Sequence, residues 1–216
     1  MTSPISPRLL RGGLVLVDAD TGAPRRVIAL QYNPDTVTRS FQIKGTGADG
    51  GDRSEALRLK GPAAETIKLE CEIDAADQLE HADRTTLDVG IHPELATLEL
   101  LVHPTTAQLR ANAARASRGE LEVLPLETPL TLFVWSKSRV VPVRVTEFTI
   151  TEEAFDPALN PIRAKVSLGL RVLSTDDFGF GHRGGNLFLS DLASRERLAA
   201  RRPGAALGVL GLTGIP

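Results

Sequence analysis

The chain has 216 residues, 42% of them apolar, which suffices for one main buried core with appendages and rules against disorder throughout. Its 25 Lys and Arg nearly cancel 27 Asp and Glu, leaving a formal charge of −2, and aromatics make up only 4%, so neither polyanion binding nor a stacking platform for single strands or glycans is indicated. One cysteine and four dispersed histidines support neither a disulfide framework nor a zinc site. Met1 to Arg11 holds Pro4 and Pro7 but no apolar centre of a secretory leader, and no run of about 18 apolar residues occurs, so the expectation is a cytoplasmic protein at synthesis with no membrane insertion.

The first strand is expected at Gly13 to Asp18, with Asp20-Thr21-Gly22 as turn chemistry before a second run at Arg26 to Tyr32, together a hairpin. Asn33-Pro34-Asp35 breaks the pattern, because Pro34 has no backbone donor and holds Asn33 extended; alternation resumes from Thr36 to Ile43. Lys44 to Gly61 carries five glycines and no periodicity, which describes a long arm that orders against a neighbouring subunit. Glu65 to Asp74 alternates strictly, with Ile67, Leu69, Cys71 and Ile73 on one face, so Cys71 reads as a buried small hydrophobe.

Ala75 to Arg84 suits a short helix with Asp74 as its cap, and Pro93 to Arg115 has helical spacing that Pro104 must break or kink. Pro129 to Trp135 and Val140 to Thr151 are β-rich and joined by the polar Ser136-Lys137-Ser138-Arg139. After the Asp156-Pro157-Ala158-Leu159-Asn160-Pro161 punctuation, Ile162 to Leu173 places Ile162, Ala164, Val166, Leu168, Leu170 and Val172 on one face. From Ser174 the glycines at 179, 181, 184 and 185 suggest a flexible passage, followed by a helix at Leu189 to Arg201 and an apolar tail. The expected fold is mainly β (α+β): an antiparallel β-barrel or sandwich with a helical insertion and a short C-terminal helical extension. It divides into an arm at 1–11, a β domain at 12–173, and a linker, helix and tail at 174–216.

No chemistry-bearing constellation emerges. His92 and His103 each precede proline, His81 lies in a polar helix and His182 in the glycine-rich passage, so surface or capping roles are expected. Gly45-Thr46-Gly47-Ala48-Asp49-Gly50-Gly51 follows a strand without opening a helix, unlike a dinucleotide fingerprint. Glu152 and Glu153, adjacent on a strand, point to opposite faces and cannot share a substrate. The expectation is a protein that is not an enzyme and needs no cofactor or metal.

Leu30 to Phe41, with its Tyr32-Asn33-Pro34 strand end, resembles the opening motif of the tube-type baseplate proteins of contractile, phage-tail-like injection systems. The strand ending in Trp135, the strand Val143 to Ile150, and the block from Phe155 through Pro161 and Ala164 to Val166 are similar to further parts of that family's pattern, in the same order. The resemblance spans about residues 13 to 173 and implies a tail-tube fold and a hexameric ring. It also implies a structural role as tube initiator or hub adaptor, in contact with the inner tube protein, the spike or hub and other baseplate subunits. Family members that continue into a LysM module differ here, since the chain after Ser174 is too short and glycine-rich for one. Candidate subunit contacts are Arg53, Arg58 and Leu59 in the arm, Val143, Val145 and Phe148 along the strand near Val140 to Ile150, and Leu192 and Leu198 in the last helix. The rival expectations are a stand-alone β-sandwich binding carbohydrate or peptide, and a small hydrolase with an unrecognised Ser and His pair.

Overall fold

The computed structural model describes residues 10–45, 58–119, 128–202 and 204–215. Alternating segments form the strands β1 (Gly13–Val17), β2 (Pro24–Ala29), β3 (Val37–Gln42), β4 (Ala64–Asp74), β5 (Leu130–Ser136), β6 (Arg139–Phe155) and β7 (Pro161–Val172). All seven pair antiparallel in one sheet, ordered β2-β1-β5-β6-β7-β4-β3. β7 lies between β6 and β4, and its Ala164, Val166, Leu168 and Leu170 are inaccessible to solvent. The β1–β2 turn forms as its residues dictate: Asp18 Oδ1 accepts from the N–H groups of Asp20 and Thr21, and Gly22 takes φ +74°.

The expected closed barrel or sandwich is not what forms. Consecutive strands β2 and β3 end at opposite borders of a single sheet, and the barrel stays open between them. A side chain spans that seam: Gln31 Nε2 donates to the Asp74 carbonyl at 2.7 Å, and Gln31 Oε1 accepts from the Asp74 N–H at 3.0 Å. One amide thus copies the two bonds that a partner strand would make.

The main core lies on one face of the sheet, built from Leu14, Ile28, Ile67, Leu69, Cys71, Phe133, Val141, Val143 and the inward side of β7. Between β4 and β5 the chain makes α1 (Ala76–Glu80), α2 (Arg84–Val89), α3 (His92–Glu99) and α4 (Thr106–Ser117). Ile91, Leu95 and Leu98 fill the core from this side. Val17, Leu130 and Leu132 alternate onto the other face, where Phe178 and Leu187 cover them.

Local chemistry explains where the helices differ from expectation. The cap position of α1 is Ala75, and Asp74 instead binds the Ala76 N–H from one residue earlier, at 2.7 Å. Ala82 at φ +51° separates α1 from α2, whose own cap is Asp83, accepting from the Thr86 N–H at 3.0 Å. Gly90 ends α2 at φ +59°, and a Cβ there would stand 2.2 Å from the Pro161 carbonyl oxygen, so the residue must be glycine on both counts. Pro104 does separate α3 from α4, which starts with a capping box between Thr105 and Gln108.

The last helix, α5 (Arg183–Ala199), begins at Arg183, not at Leu189. His182 Nδ1 accepts from the Gly184 N–H at 3.0 Å while the ring stacks on Phe178 at 4.4 Å, so His182 is a cap and Gly184 and Gly185 form a buried first turn rather than a flexible passage. Phe188 of α5 enters the main core, which ties the segment after Ser174 to the sheet. A 3-10 turn at Leu207–Leu210 follows, with Val209, Leu210 and Ile215 exposed.

Candidate functional site

The residues that carry the family resemblance mostly hold the fold. Asn33 Oδ1 accepts from the Gly12 N–H and its Nδ2 donates to the Leu10 carbonyl, both at 2.8 Å, fixing the chain as it enters β1. Trp135 is half-buried and stacks on Phe133 with ring centroids 5.9 Å apart; any Cβ at Gly12 would come within 2.6 Å of the indole. Pro34 is half-buried, and the buried Pro161 accepts from the Ile91 N–H at 2.8 Å, joining β7 to α3. Ala164 is fully enclosed opposite Ile73. Tyr32 and Phe155 are the aromatic residues of this set with large exposed faces.

The candidate contact residues divide. Arg53 lies outside the described residues, as does most of the proposed arm; its neck is closed by a bridge between Gly45 and Leu59 and by the Lys60 N–H to the Lys44 carbonyl at 2.8 Å. Arg58 is exposed, and Leu59 is 69% exposed. Val143 is corrected: it is a core residue, 2% exposed, paired with Thr131 on one side and Val172 on the other. Val145 and Phe148 are half-buried against the core, whereas Leu192 and Leu198 on α5 are exposed.

The strand near Val140 to Ile150 likewise splits in two. Through Val143, β6 is paired to β5; from Arg144 to Phe155 it has β7 on one border and no strand on the other among the described residues. The cause is length, because β5 has 7 residues and β6 has 17. The overhang carries register shifts after Val145, Glu152 and Ala154, each a local bend in the ladder.

Beside the seam, a cleft of about 310 Å³ lies between β2, β4 and α3, lined mainly by apolar groups including Ile28, Leu30, Cys71, Ile73 and Leu98. Burial pushes the Cys71 thiol up to about 11, with Glu70 adding to the rise, so it is no nucleophile at neutral pH.

A charged cluster sits where α5 meets β3, β4 and the β5–β6 turn. Glu65 is 3% exposed; its Oε1 accepts from Arg39 Nε at 2.6 Å and its Oε2 from Arg195 at 2.8 Å. Arg195 Nε also lies 2.7 Å from Asp191 Oδ2. Burial raises the Asp191 pKa against the opposing pull of Arg195, whereas burial and the nearby charges of Arg39 and Arg195 lower that of Arg139. The sequence did carry a signal for Glu65: it stands in step with Ile67, Leu69 and Cys71, a carboxylate on the core face of an alternating strand. Asp191 and Arg195 are spaced as one helix turn, but nothing local ties them to Glu65, which is 130 residues from Arg195.

Among the described residues no group of three or more His, Cys, Asp or Glu could hold a metal, and no helix is long and apolar enough to cross a membrane. Compared with the models of known protein families and with curated proteins, the chain matches none.

Proposed function

We propose that this chain is a structural, non-enzymatic baseplate subunit of a contractile, phage-tail-like injection machine, whose copies close into a hexameric ring that starts the inner tube and joins it to the spike hub. The observation that carries this reading is that, among the described residues, β6 from Arg144 to Phe155 has no strand on one border while β7 backs it along its length. A long unpaired border invites edge-to-edge association in a lone molecule, and a closed ring satisfies it by symmetry. The exposed Phe41, Ile43 and Leu59 on and beside β3 give a second apolar border to meet it. The ordered blocks around Tyr32-Asn33-Pro34, Trp135 and Phe155 to Val166 support the same assignment.

The test is assembly. Thr149 and Thr151 are exposed on the overhang, and replacing both by lysine blunts the border without touching the core. Sedimentation and electron microscopy then show rings with the parent chain and none with Thr149→Lys/Thr151→Lys, while the unfolding midpoint stays within about 2 °C, as for ordinary surface changes. A parent chain that remains monomeric, together with particles that form normally without it, sinks the proposal.

A further inference from the structure

Among the described residues the charged cluster has one cation too many. Three guanidinium groups, from Arg39, Arg139 and Arg195, share two carboxylates, Glu65 and Asp191. Glu65 spends one oxygen on Arg39 and the other on Arg195, and Asp191 faces Arg195. The Arg139 side chain is left half-buried with no hydrogen bond or ion pair among the described residues, where the repulsion of Arg39 and Arg195 outweighs the attraction of Glu65 and Asp191. A desolvated, unpaired charge costs stability, so its presence calls for a counter-charge.

The space in front of Arg139 is a cleft of about 330 Å³, lined by the three arginines, Asp191, Trp135, Leu198 and two serines. The Ser136 and Ser138 hydroxyl oxygens are 2.9 Å apart, so one proton serves their mutual bond and the other hydroxyl can donate outward. Trp135 and Leu198 make one wall apolar. We infer that this cleft receives a carboxylate on a short hydrocarbon stem, an Asp or Glu side chain of a partner protein, with Arg139 as the receiving charge. One excess positive charge matches one monoanion, and a planar guanidinium matches a carboxylate with two parallel bonds. The methylene stem would use the Trp135 and Leu198 wall, which a compact, fully hydrated inorganic ion does not. This assignment requires only a partner with an acidic side chain and stands or falls separately from the ring.

Trp135 is the sole tryptophan and lines the cleft, so the full-length chain reports on occupancy by its own fluorescence. The probe is N-acetyl-glutamic acid α-amide at constant ionic strength, with the N-acetyl-glutamine amide and inorganic phosphate as separate titrations. The expected result is a saturable change with the glutamate compound at concentrations on the order of millimolar, as suits a single charge-assisted contact, and none with the glutamine compound. Arg139→Gln weakens that binding at least tenfold while its unfolding midpoint equals or exceeds the parent's, because the variant loses an unpaired charge; a contact that merely held the fold together would give the opposite shift. Should Arg139→Gln fail to fold, Arg139→Lys keeps the charge, loses the planar fork and binds several-fold more weakly. No saturable change with the glutamate compound, equal binding by the glutamine compound, phosphate binding as tightly, or undiminished binding by the variant overturns the inference.

Discussion

Glu65 shows how one side chain can organise residues from distant parts of the chain. Buried on the core face of β4, it binds Arg39 of β3 and Arg195 of α5 through separate oxygens. Glu65→Ala leaves both guanidinium groups without that partner, and breaking such a pair from one side costs about 3 kcal/mol. At this chain length that lowers the thermal midpoint by roughly 6–12 °C, measurable by circular dichroism. Asp74 makes a different kind of contribution. Burial opposes its charge, but the Ala76 N–H and the Arg163 guanidinium outweigh burial and hold its pKa below the usual value of 3.8. Its stabilisation is therefore complete above the ordinary carboxylate range and is lost as pH falls below about 4 through the folded-state value. Melting curves of Asp74→Asn against the parent converge on acidification if this holds, and a constant gap down to pH 2 contradicts it. Side-chain burial was readable from alternation for Ile67, Leu69, Cys71 and the β7 residues, because a period of two leaves one choice of face. The bonding of Asn33 and the pairing of Glu65 were not, since each partner is remote in sequence.

At the scale of elements, strands were more legible than helices. Each of the seven strands falls on a run read as β-rich or alternating, with ends displaced where turn geometry takes over, as at β2, which stops at Ala29 so that Gln31 can reach Asp74. The break between α1 and α2 carries no glycine or proline; Ala82 adopts a left-handed conformation there, and only the folded context supports it. The start of α5 was hidden because Gly184 and Gly185 read as breakers, yet a side chain at Gly184 would meet the Phe178 ring at 2.5 Å. α4 offers a clean test of cap strength. It contains no buried residue, so the Thr105–Gln108 box contributes to its stability without help from the core. Thr105→Ala removes about 1 kcal/mol from the helix. The expected outcome is faster amide exchange in α4 with the global midpoint shifted by less than about 1 °C; a larger shift would mean that α4 is coupled to the core.

The whole molecule is one antiparallel sheet with helices packed against it and an open seam, and that openness was the part of the fold least legible beforehand. Local pattern specifies strands, whereas closure depends on how strands far apart in sequence meet. Two truncations test how the C-terminal segment belongs to it. Removing residues from 203 onward takes away exposed Val209, Leu210 and Ile215 and leaves the core contacts, so the melting temperature is expected to hold within about 2 °C. Removal from Leu187 onward also takes Phe188 from the core and Arg195 from Glu65, and the cost is several kcal/mol, seen as a much lower midpoint or failure to fold. Equal stability of the two shortened chains would show that α5 contributes nothing to the fold. Timing follows from the place of β7. It is the last of the described strands to be translated yet an interior one, held between β6 and β4, and its bond partner in β4, Cys71, precedes Val166 by 95 residues. β4, complete at Asp74, therefore waits for most of the chain's remaining synthesis before β7 begins at Pro161, whereas β6 ends only shortly before it, so it is the border of β4 that proteases and chaperones meet for the longest interval.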